Sequence, residues 1–169
     1  IEMVYKTTKL LDTTRPCIDT SGSIHVMTDI FDLHDYTQDV AEFEGYIKRF
    51  EEEDVIIDQL ERTPQYQGRN KYNGEPVFVS EYGGIGWDVE GDIQSWGYGK
   101  NPRTEEEFVE RYRGLTEAIM KCRKICGFCY TQLYDIEQEK NGFYTYHREP
   151  KFDVKIFKEI NSQIAEIEK

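Results

Sequence analysis

The chain has 169 residues, with 21 Lys and Arg against 33 Asp and Glu, for a formal charge of −12. That balance argues against nucleic acid or an anionic membrane as a partner, and no apolar run approaches the roughly 20 residues that span a bilayer. Hydrophobic content of 38% and aromatic content of 14%, with 12 Tyr and 9 Phe, suit a domain with a core, and the aromatics also suit a carbohydrate surface.

Position 1 is Ile, and no signal-peptide pattern follows it. The chain therefore reads as excised from a longer polypeptide, and its start does not reveal a compartment. Residues 1–12, with Met3, Val4, Leu10 and Leu11 among polar neighbours, read as the end of a helix that Arg15-Pro16 breaks. Cys17-Ile18-Asp19-Thr20 predicts a short strand closed by the Ser21-Gly22 turn, and Val26 to Leu33 predicts a second, ending in His34-Asp35-Tyr36. A helix is expected from about 39 to 60. Phe43, Ile47 and Phe50 recur at helical spacing, with Glu42, Glu44, Lys48, Arg49, Glu51 and Glu52 on the wet face. Residues 62–76 are polar and turn-rich, which predicts a long loop.

The most informative stretch follows. In Val77-Phe78-Val79-Ser80-Glu81-Tyr82-Gly83-Gly84, strand-favouring residues lead into a carboxylate and then a glycine turn. Such a run reads as a buried parallel strand, and a carboxylate at its carboxyl end stands where α/β barrels place their chemistry. Beyond a Gly-rich, Trp-containing loop, Thr104 caps a helix that starts with Glu105, Glu106 and Glu107 and continues to about residue 123. Ile125 to Leu133 reads as the last strand. A loop crosses residues 135–150, and a final helix starts near Asp153 with Ile156, Ile160, Ile164 and Ile167 inward.

Short buried strands separated by helices predict a parallel α/β arrangement. Four strands would make a marginal open sheet or half of an eight-stranded barrel. Polar residues end each strand: Asp19-Thr20, His34-Asp35-Tyr36, Glu81, and Gln132 with Asp135. Strand-to-helix loops are polar in any case, which accounts for most of these groups but poorly for the embedded Glu81. A glycosidase needs two carboxylates. Glu81 is one candidate, with Glu137, Glu139, Asp35 and Asp135 as second candidates. Tyr72, Trp87, Trp96 and Tyr98 either form a sugar platform or pack the loops. No Gly-x-Ser-x-Gly elbow and no Walker lysine occur. Cys126-x-x-Cys129 lacks a second Cys pair and a nearby His, so buried free thiols are expected rather than a metal centre.

The run Val77 to Gly83 resembles glycoside hydrolase family 2, the β-galactosidase, β-glucuronidase and β-mannosidase group. Gly127 to Asp135 and Asn141-Gly142-Phe143-Tyr144-Thr145-Tyr146-His147-Arg148-Glu149-Pro150-Lys151 look like that family's closing strand and the run after it, and Thr13-Thr14-Arg15-Pro16 looks like its lead into the fifth barrel strand. The resemblance covers nearly the whole chain. It implies the C-terminal half of a (β/α)8 TIM barrel, about strands 5–8 over residues 1–169. The first four strands and the N-terminal β-sandwich domains would lie outside these residues. It implies a retaining exo-glycosidase with Glu81 as nucleophile. Tyr36 then falls near the family's active-site tyrosine and Tyr130 near a sugar-site tryptophan, with His34, Trp87, Gln132 and Asp135 as further substrate-binding expectations. No organic cofactor is implied, and no metal site can be placed. The family's acid/base Glu sits in an Asn-Glu pair on the fourth strand, and no such pair occurs here, so the isolated chain is expected to be inactive. Glu139-Lys140-Asn141-Gly142 lacks the Asn-x-Lys with which β-glucuronidases hold a uronate, so a neutral sugar, most simply a β-galactoside, is favoured. The expected partners are a small carbohydrate and either further copies of the chain or the missing barrel half. A half-barrel that only binds or assembles is the competing reading.

Overall fold

The computed structural model describes residues 1–169. Its elements run α1 (Glu2–Leu11), β1 (Phe31–Asp35), α2 (Val40–Glu53), β2 (Val77–Gly83), α3 (Glu105–Met120), β3 (Ile125–Thr131) and α4 (Val154–Asn161), with a short 3-10 turn at Glu166–Glu168. The strands form one parallel sheet in the order β1-β2-β3, each joined to the next by a helix. This is the parallel α/β arrangement that the pattern of elements predicts, and it matches the partial TIM-barrel-like architecture that the resemblance implies.

Local chemistry sets the helix limits. Asp39, Thr104 and Asp153 each stand before a helix, and each side chain accepts a backbone N–H of the first turn. Such caps satisfy donors that would otherwise lack partners and contribute about 1 kcal/mol each. Asp54 leaves α2 in the left-handed region at φ 57°, which ends that helix earlier than its apolar spacing predicts. One face of the sheet packs on the helices: Phe31, Leu33, Val77, Val79 and Tyr82 meet Phe43, Phe50, Phe108, Tyr112, Leu115, Ile119 and Phe157. Alternation along β1 therefore turns Phe31 and Leu33 toward the helices and leaves Asp32 and His34 on the opposite face.

Three expectations are corrected. Cys17–Thr20 is not a strand, and Val26–Ile30 does not extend β1, so the sheet has three strands rather than four. Carboxylates take the backbone donors that a ladder would use. Asp19 Oδ2 accepts from Val26 N at 2.7 Å and Met27 N at 3.1 Å, and Asp29 Oδ2 accepts from Cys17 N at 2.8 Å. Ile164 and Ile167 are exposed, because α4 stops at Asn161 and the chain beyond it no longer follows the helical repeat. Cys126 and Cys129 are exposed rather than buried, since β3 has a neighbour on only one side. No helix is long and apolar enough to cross a membrane.

Candidate functional site

Glu81 stands near the carboxyl end of β2, in a stretch where the register with both neighbouring strands shifts. It pairs with His34 of β1 across the sheet. Its carboxylate is about 40% exposed, so it reaches solvent at the rim rather than filling the core. The Tyr36 hydroxyl, just past β1, donates to Glu81 Oε2. His34 Nδ1 lies 3.3 Å from the same oxygen. Burial first, and then the bond to Glu81, push the Tyr36 phenol far above its ordinary pKa, so Tyr36 remains a donor at any physiological pH.

Each neighbour of Glu81 is itself held. His34 Nε2 lies 3.2 Å from Ser21 Oγ and 3.8 Å from Asp32 Oδ2. Asp32 is 1% exposed, and its Oδ2 accepts from Gly22 N at 2.6 Å. His25 braces this segment, with Nδ1 2.6 Å from Asp19 Oδ1 and Nε2 2.7 Å from the Asp32 carbonyl. Tyr36 stacks face to face on Tyr98, with ring centroids 3.6 Å apart and planes 3° from parallel. Gly84 permits that stack. It has φ +59°, and a Cβ there would meet the Tyr98 ring at 2.4 Å.

His34, Tyr36 and Glu81 therefore come together. The other expected site residues have different surroundings. Trp87 is partly buried, with its ring against Phe108 and Phe152. The Tyr130 hydroxyl accepts from Ile85 N at 3.0 Å and donates to the Asn141 carbonyl at 3.2 Å, and its ring stacks on Phe143. Burial raises the Tyr130 phenol well above its usual range. Asp135 is buried against Lys151 Nζ at 2.8 Å and also accepts from Gly142 N. Gln132 follows β3 and is partly buried, with its Nε2 lacking a hydrogen-bond partner.

Among the second-carboxylate candidates, Asp35 is gripped at both oxygens by Arg62, each at 2.9 Å. Glu139 accepts from Asn141 Nδ2 at 3.0 Å, and Glu137 is exposed. His34 contacts Glu81 rather than its sequence neighbour Asp35 because successive strand residues face opposite ways. No three His, Cys, Asp or Glu side chains converge as a metal cage would require.

Two loops frame the rim. Residues 84–98 and 136–142 are joined by backbone bonds: Trp87 N to Lys140 O at 2.7 Å, Trp96 N to Gln138 O at 2.9 Å and Lys140 N to Trp96 O at 2.9 Å. Lys151 Nζ adds a bond to the Trp87 carbonyl at 2.5 Å. Ser21 and Asp32, which contact His34, carry no sequence motif that marks them for the site, and Tyr98 reads from sequence either as part of a sugar platform or as loop packing. Nothing local to Tyr98 signals its stack on Tyr36, because Gly84, which makes the stack possible, lies 14 residues earlier.

No protein-family model matches the chain, and a comparison with curated proteins finds no match. Solved structures are. A β-glucuronidase from an uncultured Clostridium species is similar at TM-score 0.61 and 17% identity, covering 96% of this chain and 29% of that one. The Dictyoglomus thermophilum β-D-glucuronidase gives 0.58 and 18%, covering 99% and 29%. The Faecalibacterium prausnitzii β-glucuronidase gives 0.60 and 19%, covering 97% and 28%. At these identities the likeness shows the fold, and the chain spans less than a third of the solved chains it matches.

Proposed function

We propose that this chain carries the nucleophile side of a retaining β-glycosidase site, with Glu81 as the nucleophile. The observation that carries the reading is the loading of its two oxygens. Tyr36 and His34 both approach Oε2, which leaves Oε1 as the oxygen that forms the new bond to the anomeric carbon. The bond from that carbon to the leaving oxygen breaks, and the leaving oxygen takes a proton from an acid. Water then cleaves the glycosyl ester with that same group as base.

On this reading the acid comes from outside residues 1–169, as the family resemblance implies. The engagement of Asp35 by Arg62, Asp135 by Lys151 and Glu139 by Asn141 supports that view. The isolated chain is then inactive on unactivated glycosides, since an alkoxide leaving group needs protonation.

For the sugar, we favour a neutral β-galactoside. Lys140 Nζ is already paired with Glu90 at 2.6 Å and the Asn141 amide is bound to Glu139, so neither is free for a uronate carboxylate. A β-glucuronide is the second reading, favoured by the names of the three similar solved structures.

The test uses the natural full-length polypeptide and aryl β-galactoside, β-glucuronide and β-mannoside. A 2-deoxy-2-fluoroglycosyl fluoride of the preferred sugar should label the peptide that carries Glu81. Glu81→Gln should cut hydrolysis by about 10³-fold or more. Hydrolysis undiminished in that variant, or a label on another carboxylate, would overturn the assignment. A preference for the glucuronide would replace the galactoside reading and leave the nucleophile intact.

A further inference from the structure

The rings beside Glu81 form a strip that runs outward. Tyr36 touches the carboxylate, Tyr98 stacks on Tyr36, and Trp96 meets Tyr98 edge-on, with centroids 5.7 Å apart and planes at 74°. Trp87, the other tryptophan, turns inward against Phe108 and Phe152. Trp96 is 45% exposed.

A single exposed apolar side chain ordinarily carries no message. Trp96 differs in how firmly its backbone is held. Its N–H donates to Gln138 O and its carbonyl accepts from Lys140 N, both at 2.9 Å. The next residue, Gly97, packs backbone to backbone on Gly86, where a Cβ on Gly97 would stand 2.3 Å from the Gly86 Cα. The ring is thus presented at a fixed place before any ligand arrives, which lowers the ordering cost of binding. A pyranose ring offers a C–H face that packs on such a surface. The surrounding charge limits the choice of ligand. Lys140, the nearest basic residue in the zipped loops, is taken by Glu90, and the chain as a whole carries −12, so a neutral ring is favoured over an anionic one.

We infer that Trp96 is the platform of a second sugar subsite, adjoining the glycosyl site at Glu81, which takes the leaving-group sugar of a neutral β-linked disaccharide or oligosaccharide. The inference deepens the glycosidase reading and rests on Glu81 marking the position of the sugar that is transferred. Natural substrates are then oligosaccharides, and the aryl glycosides used for assay occupy the second subsite with a flat ring in place of a sugar.

The test is calorimetric titration of the natural full-length polypeptide carrying Glu81→Gln. The probes are lactose, β-1,4-galactobiose, cellobiose and β-1,4-mannobiose, each beside the methyl β-glycoside of its non-reducing sugar. One stacked ring is worth enough for at least one disaccharide to bind about tenfold more tightly than its methyl glycoside. Trp96→Ala should erase that increment, and Trp96→Phe should retain part of it. The part of the tryptophan emission that Trp96→Phe removes should change on adding the disaccharide but not the methyl glycoside. An increment that survives Trp96→Ala, no disaccharide exceeding its methyl glycoside, or unchanged emission on disaccharide binding would each overturn the proposal. Hydrolysis that persists in Glu81→Gln overturns the nucleophile reading instead, so the two failures are told apart.

Discussion

Two polar neighbours converge on Glu81 Oε2, and the consequence is easiest to see in Tyr36. Its phenol is held protonated by burial and by the carboxylate it faces, and its ring is clamped flat on Tyr98. The hydroxyl therefore acts as a fixed donor that restricts the rotation of the Glu81 carboxylate. A hydrogen bond to a charged group is worth about 1.5–3 kcal/mol. In the natural full-length polypeptide, Tyr36→Phe is expected to lower kcat/KM on an aryl glycoside roughly ten- to hundredfold, while the Tyr98 stack keeps the ring in place. An unchanged kcat/KM would show that the contact is idle in the reaction. His34 cannot be treated in the same way, because its second nitrogen also faces Ser21 and Asp32. Replacing it disturbs the loop before β1 as well as the carboxylate.

Among the elements, α1 depends most on a single side chain. The helix buries none of its residues, yet it is tied to the following segment through Asp29, which accepts from Tyr5 Oη at 2.6 Å, Lys9 Nζ at 2.8 Å and Cys17 N at 2.8 Å. The Lys9 and Tyr5 bonds hold the Asp29 carboxyl down to about 2. A depressed carboxyl contributes stability that is fully present above its ordinary unfolded value near 3.9 and is lost as pH falls through the folded value. Docking of α1 should therefore hold from neutrality down to about pH 4 and weaken from there toward about pH 2. The protection of residues 2–11, taken as amide exchange relative to the intrinsic rate at each pH, should fall over that window. Asp29→Asn should lessen the change, with Glu2 and Asp12 at the ends of α1 also held below the usual carboxylate range. Protection that stays flat between pH 4 and 2 would contradict the coupling.

Asp29 also shows where sequence reading stops at this scale. β2, β3 and the cores of α2 and α3 were legible because apolar runs and helical spacing report directly on burial, as with Val77, Val79, Phe43 and Phe50. Residues 17–30 were not, because Ile18, Val26 and Met27 carry strand-like apolarity while Asp19 and Asp29 take the backbone donors instead. Glu81 was legible from its place at the end of an apolar run. The identity of its neighbours was only partly so. Tyr36 and His34 lie at a strand end, whereas the Tyr98 ring reaches the site from a loop 62 residues after Tyr36.

For the whole molecule, the notable property is what stays uncovered. β1 and β3 each have an open edge. Met3, Val4, Leu10 and Leu11 on α1 are all at least 70% exposed. Unpaired strand edges and contiguous apolar surface promote association. Residues 1–169 expressed alone should sediment as a species larger than the 20.0 kDa chain, and disperse when Leu10 and Leu11 are replaced by Lys. A monomer at micromolar concentration in analytical ultracentrifugation would show that these surfaces are tolerated in water.

The zipped loops carry a different implication. Because residues 84–98 and 136–142 share backbone bonds, they behave as one module, although each belongs to a different strand. An insertion in either shifts the partners of the other and tilts Trp96 away from Tyr98. On the glycosidase reading, a change of substrate preference at this rim has to arise through paired alterations, and a loop transplanted from a similar fold has to bring its opposite number with it.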